Sequence, residues 1–166
     1  NRQAQQQIYT HFSPKMLGVC RQYIKDIHQA EDIMITAFMK VFVNIKNFEN
    51  KGSFEGWIRR IMVNECISFI RVQKKIKYVE DETYFEESFN NIESQFSTDD
   101  IQSLIDSLPD GYKTVFNLYA IEGFKHKEIA SMLEINEGTS KSQLSHARKM
   151  LQTQINKLKN YEYGTE

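Results

Sequence analysis

Between His126 and Leu151 the chain reads HKEIASMLEINEGTSKSQLSHARKML, two short amphipathic runs joined by a polar turn, and no other stretch constrains the fold as much. In the first run Ile129, Met132 and Leu133 form an apolar stripe, and Ala130 is small enough for a second helix to cross closely over it. Gly138 is expected to relieve the turn, because a left-handed backbone is cheap only without a Cβ. Thr139 or Ser140 is expected to cap the second helix, with Gln143 completing a capping box three residues after Ser140. At the helical period Leu144, Ala147, Leu151, Ile155 and Leu158 fall on one side and face a core. Ser142, Ser145, His146 and Lys149 face the other way, with Lys141 beside them near the helix N-terminus and Arg148 nearer the buried edge. Such a pair, its second helix polar and basic, is suited to a DNA major groove, where recognition helices present their N-terminal residues to the bases. A merely solvated helix face is the plainer alternative; the glycine, the cap and the short side chains favour DNA. For Arg148, a phosphate contact and an internal ion pair with Glu128 or Glu134 remain equal alternatives.

The net charge of −1 fits a nucleic-acid binder only once it is divided along the chain. Residues 1–79 carry 13 Lys and Arg against 6 Asp and Glu, residues 80–110 carry none against 10, and residues 111–166 carry 8 against 6. Two basic blocks flanking an acidic one are a different electrostatic object from a neutral protein. The acidic stretch EDETYFEESFNNIESQFSTDD, 80–100, lacks a sustained helical period and is expected to be a linker. Its Phe85, Phe89 and Phe96 either dock on a partner or domain or ride on a solvated tether.

A chain of 166 residues suits one ordinary domain or two small ones. Neither a signal peptide nor an apolar run of membrane length is evident, so a cytoplasmic protein without membrane insertion is expected. Cys20 and Cys66 have no CxxC spacing and are expected to be buried, reduced thiols. His11, His28, His126 and His146 are scattered, and no His, Cys and carboxylate set has catalytic or metal spacing; no cofactor, metal or enzymatic activity is expected.

In the N-terminal block, residues 2–12 are expected to form one helix, and Ser13 with Pro14 to cap and open another that carries Met16, Leu17, Val19 and Cys20. The chain opens at Asn1 in helical sequence without a methionine, so upstream residues are expected. A further helix spans roughly 29–46, with Met34, Phe38, Val41 and Ile45 on a core line and Ile35, Met39 and Val43 on a second line nearly opposite, beside Asp32 and Thr36. A helix apolar on both sides is either fully buried or has an external partner. Gly52 then marks a polar turn at 50–53, and Ser53 caps a long helix with Ile58, Met62, Cys66 and Phe69 on its core side. Trp57, Arg60, Asn64, Arg71 and Lys75 share another stripe, whose chemistry suits an unpaired base and its phosphates. For Trp57 itself core packing is favoured; for the cations, clustering favours phosphate.

Three segments in order, AEDIMITAFMKVF, GSFEGWIRRIMVNECISFIR and LPDGYKTVFNLYAIEGFKHKEIASMLEINEGTSKSQLSHARKMLQ, together resemble a bacterial extracytoplasmic-function (ECF) RNA polymerase sigma factor. The resemblance implies an all-α protein of two small helical domains, a sigma region 2-like bundle at 1–79 and a region 4-like helix-turn-helix at 101–160, with the acidic linker between and a tail at 161–166. It implies that Asp32, Ile35, Thr36 and Met39 meet the clamp helices of the largest subunit of RNA polymerase core. It gives Phe48, Phe54, Trp57, Arg60, Asn64, Arg71, Lys74 and Lys75 to the −10 strand, with Asn64 near a flipped base. Thr139, Lys141, Ser142, Ser145, His146, Arg148 and Lys149 fall to the −35 duplex. Ile35 and Thr36 stand where the family pattern usually has Gln and Glu, and His146 where Arg is common, which removes a bidentate fork. The implied partners are RNA polymerase core, promoter DNA and an anti-sigma factor. The competing functions are a helix-turn-helix regulator that binds duplex DNA without polymerase core, and an interaction protein whose helices bind another regulator.

Overall fold

The computed structural model describes residues 1–73, 78 and 96–163. The linker assignment for 80–95, with Phe85 and Phe89, lies outside the described residues, as do Lys74, Lys75 and the last three residues of the tail. All regular elements among the described residues are helical, and they fall into two compact units, Asn1–Lys75 and Ile76–Glu166.

In the first unit α1 (Arg2–Arg21), α2 (Ile27–Asn44) and α3 (Phe54–Gln73) pack pairwise into a three-helix bundle. The break expected at Ser13–Pro14 does not occur: α1 is one helix with Pro14 inside it. Proline forfeits one backbone hydrogen bond there, but packing on both sides of it holds the helix through. Tyr9 sits edge-on to Phe38 at 5.0 Å and Phe12 edge-on to Phe54 at 5.9 Å, while Met16, Val19 and Cys20 are buried beyond the proline. Asp26 caps α2 by accepting from Gln29 N at 2.9 Å. Ser53 caps α3 as expected, its hydroxyl accepting from Gly56 N at 3.0 Å, after a turn in which Asn50 and Gly52 take positive φ. The core joins Met16, Cys20, Phe38, Val41, Ile58, Met62 and Cys66. Of the expected core lines, Ile45 is exposed and Phe69 only half-buried, Ile70 being buried instead. Both cysteines are buried and unlinked, and contact with Cys20 together with burial pushes the Cys66 thiol up, so it stays protonated.

In the second unit, α4 (Thr98–Asp106) begins inside the segment expected to be linker. Ser97 accepts from Asp100 N at 3.2 Å and Asp100 accepts from Ser97 N at 3.2 Å, a reciprocal capping box that turns the last acidic residues into a helix start. Then come α5 (Asp110–Phe116), a π-helical turn (Asn117–Ile121), α6 (His126–Leu133) and α7 (Glu137–Tyr163). Ile105, Leu108, Ala147 and Leu151 form one core cluster, and Val115, Leu118, Ile129, Leu133 and Leu144 are also buried. The apolar stripe of α7 leaves the core after Leu151, with Ile155 half-buried and Leu158 exposed. The expected tail at 161–163 is the last turn of that helix. None of the helices among the described residues is long and apolar enough to cross a membrane.

Candidate functional site

The second apolar line of α2 is an open surface. Ile35, Met39 and Val43 are 49%, 61% and 78% exposed, on the face opposite buried Met34, Phe38 and Val41. That settles the two possibilities for this helix against full burial. Asp32 and Thr36 are exposed on the same face, and the Thr36 hydroxyl donates to Asp32 O at 3.0 Å, which ties it back to its own helix. On the flank Lys40 pairs with Glu65 at 2.5 Å and fixes α2 to α3. The result is an apolar strip of three side chains with an acidic residue at one end, carried on a rigid bundle.

At the other side of α3 an aromatic cluster roots the 48–53 turn. Phe48 lies 5.2 Å from Phe54 and 5.5 Å from Trp57, and Phe54 stacks on Trp57 at 5.8 Å with an interplanar angle of 22°. All three rings are half-buried, so Trp57 is held by packing while keeping one exposed side. Lys15 of α1 pairs with Glu55 beside this cluster. Arg60, Asn64 and Arg71 are exposed further along α3. The helical period therefore carries an aromatic platform, an amide and two cations along one exposed line.

In the second unit the helix pair α6–α7 has the expected residues but a different turn. Glu134, with φ 55°, takes the left-handed position that ends α6, and Ile135 N–H donates to Ala130 O at 3.0 Å. Gly138 is not the turn residue; it lies inside α7, whose first residue is Glu137. Nor do Thr139 and Ser140 cap the helix. Asn136 does so, its Oδ1 accepting from Thr139 N at 2.6 Å and from the Thr139 hydroxyl at 2.8 Å. Gln143, expected in the capping box, is fully buried instead.

The earlier start also corrects the outward face of α7. Ser142 is buried and its hydroxyl donates to Thr139 O at 3.0 Å. His146, one turn on, is half-buried and stacks on Tyr112 of α5 at 5.4 Å and 19°. Expected to face away from the core, these two residues instead pack toward α5 or the helix's own turn. Lys141 and Lys149 are exposed; Thr139, Ser145 and Arg148 are half-buried. The Lys141 ammonium is 3.6 Å from the Glu137 carboxylate, an exposed i,i+4 pair worth little in water. The Arg148 guanidinium lies 5.6 Å from the Tyr119 ring centroid, a cation–π contact absent from both alternatives offered by the sequence.

Residues outside the expected set complete this region. Tyr119, in the π-helical turn, stacks on His126 at 4.6 Å and 20°, and His126 Nδ1 is 2.8 Å from Ser140 Oγ. Burial holds the His126 imidazole below its ordinary value of 6.5, with Lys141 and Arg148 adding to the effect and Glu137 opposing it. No local pattern announces these contacts, because each crosses between elements. Among the described residues no group of three or more His, Cys, Asp or Glu is arranged to hold a metal ion.

Comparison with known proteins identifies the family. The Sigma-70 region 2 family matches residues 8–76, and Sigma-70, region 4 matches residues 98–151. RNA polymerase sigma factor SigV of Bacillus subtilis is 32% identical over 135 residues, covering 81% of this chain and 81% of that protein. ECF RNA polymerase sigma factor SigW of the same organism is 31% identical over 162 residues, covering 89% and 86%. The chain belongs to the ECF sigma factors. In fold this sigma factor is similar to RpoE of Bartonella quintana, solved in complex with the anti-sigma factor NepR: TM-score 0.51, 22% identity, 91% of this chain and 96% of that one covered. The two matched regions divide as the helical units do, the exposed strip of α2 in region 2 and the α6–α7 pair in region 4.

Proposed function

We propose that this sigma factor binds RNA polymerase core through the exposed face of α2, directs it to promoters with −35 and −10 elements, and stabilises the melted −10 strand. The observation that carries the proposal is the combination in one chain of an open apolar strip at Ile35, Met39 and Val43 with a helix pair that presents Lys141, Ser145 and Lys149. The strip supplies desolvation energy on contact with a protein. Asp32 and Thr36 border it and orient the contact. Family membership favours this function over a regulator that works without polymerase core.

For the −10 element, Arg60 and Arg71 line the exposed side of α3 for backbone phosphates, and Asn64 between them offers the edge contacts that an extruded base requires. Phe48, Phe54 and Trp57 form the platform against which that base is held. For the −35 element, Lys141 and Lys149 meet phosphate, Ser145 faces the groove, and Thr139 and Arg148 flank it. The burial of Ser142 and the stacking of His146 argue for support of α7 rather than base contact. The cytoplasm is the compartment that this work requires. The complex of RpoE with NepR supports an anti-sigma factor as a further partner.

Reconstitution with bacterial core polymerase, followed by transcription from a random promoter library, tests the proposal. Enrichment of paired −35 and −10 sequences is expected. Failure either to bind core or to initiate at selected sites overturns it. Lys141→Ala with Lys149→Ala should then flatten the salt dependence of −35 binding by roughly one slope unit per lost phosphate contact. An unchanged slope would make both lysines solvent-facing bystanders.

A further inference from the structure

We propose that His126 is a positioning residue for −35 recognition, which holds α7 at the rotation where Lys141 and Ser145 face the groove. The inference rests on the −35 role proposed above. Ser140 is fully buried in the first turn of α7, and its hydroxyl lies 2.8 Å from His126 Nδ1, on the first residue of α6. The His126 ring is stacked on Tyr119, and the same Tyr119 ring lies 5.6 Å from the Arg148 guanidinium. Three elements are thus joined in series, and α7 is gripped at two positions, 140 and 148, about 12 Å apart at the helical rise.

Two gripped points on a rigid helix fix more than its distance from a neighbour. The apolar contacts of Leu144, Ala147 and Leu151 hold α7 against the core, but burial of apolar area is non-directional and tolerates a small rotation. A hydrogen bond and a stacked ring are directional and resist it. Rotation decides what the groove meets, because Lys141 is exposed while its neighbours Ser140 and Ser142 are buried. Contacts to base edges need placement to within a fraction of an ångström, whereas a phosphate contact by a long lysine does not. The contact between His126 and Ser140 therefore acts on sequence discrimination, not on general affinity for DNA.

The test uses holoenzyme assembled from the full chain and core polymerase. Its binding is measured to a promoter duplex carrying the selected −35 element and to one with those bases exchanged. The readout is the ratio of the two affinities. His126→Phe keeps a ring for Tyr119 and removes the contact with Ser140; Ser140→Ala removes a single oxygen from the other side. Each is expected to lower the ratio about fivefold, as the loss of one hydrogen bond implies, with affinity for the exchanged duplex unchanged. The double variant should lose no more than either alone, since both remove one contact. An unchanged ratio, or an equal loss on both duplexes from impaired folding, overturns the positioning role and leaves the −35 proposal standing. A wild-type holoenzyme without discrimination, indifferent to Lys141→Ala, overturns the −35 proposal and this inference with it.

Discussion

The two helical units solve the same problem, three or four helices around a small core, with different interiors. Among the described residues the first unit buries apolar side chains, the two cysteines and one tyrosine, Tyr23, whereas the second unit buries Lys113, Thr114, Asn117, Ser140, Ser142 and Gln143. Apolar packing is strong and forgiving about angle; buried polar groups contribute little net energy but require particular partners. The first unit can therefore be a stiff block whose outward strip is set by bulk packing. On the proposed −35 role the second holds α7 at one rotation, and its interior is polar at the start of that helix, where Ser140, Ser142 and Gln143 all turn inward. Damage to the first unit should appear as lost stability, and damage to the second as lost discrimination.

The strongest challenge to that contrast is Phe38→Ala. Phe38 is fully buried, edge-on to Tyr9 and stacked on Phe42, so its loss leaves a cavity between α1 and α2. A cost of about 3–5 kcal/mol is expected in denaturant unfolding, confined to the transition of the first unit. A cost below about 1 kcal/mol would mean that this core collapses around the gap and is no stiff block. Met39→Glu attacks the same helix from outside. At 61% exposure, the change should leave unfolding within about 0.5 kcal/mol of wild type. Core-polymerase affinity should fall at least tenfold, since a charge would be buried in an apolar contact. Equal affinity would remove α2 from the polymerase interface.

For the second unit the corresponding probe is pH. His126 is held below its ordinary 6.5, first by burial and then by Lys141 and Arg148, with Glu137 opposing. The unfolded chain therefore takes up its proton before the folded one does. Stability is unaffected well above 6.5 and falls as the pH drops below that value, the penalty becoming complete once the pH is under the folded-state value. His126→Phe should abolish this part of the pH dependence. His146 and the exposed His11 and His28 are common to both proteins, so the difference between the two profiles isolates position 126. Identical profiles would show that the folded and unfolded states bind this proton alike.

Much of the molecule was legible because periodicity reports burial. The approximate spans of α2 and α3 and the presence of the α6–α7 pair follow from apolar spacing, and the Ser53 cap from a polar residue ahead of such a run. What failed was local chemistry overruled by contacts from elsewhere. Ser13–Pro14 carries a helix-start signal, but Phe38 and Phe54 pack on α1 before the proline and the core takes hold after it. Polarity of a side chain was a poor guide in the second unit. Ser142 and Gln143 are hydrophilic residues that are buried, so a hydropathy pattern put Ser142 on the outer face. The helix pair proposed for the −35 element is recognisable in the sequence, while the ring contacts that pack against it, Tyr119 with His126 and Tyr112 with His146, join residues 7 and 34 positions apart. Such contacts have no period and leave no trace in a single sequence.

The turn of the helix pair offers the smallest and most discriminating measurement. Sequence pointed to Gly138 for the left-handed position, yet the chain places Glu134 there, with φ 55°. A non-glycine residue pays for that conformation in steric strain, and Glu134→Gly removes it while giving the unfolded chain more freedom. The two effects partly cancel, and a net gain of about 0.5 kcal/mol is expected in the unfolding of the second unit. Discrimination between −35 sequences should not change, because the Asn136 cap and the His126–Ser140 contact still determine where α7 starts and how it is rotated. A loss of stability would instead show that contacts of the Glu134 side chain outweigh the strain. The polar control of this unit would then extend from its core to the turn itself, and the contrast with the apolar bundle would be sharper.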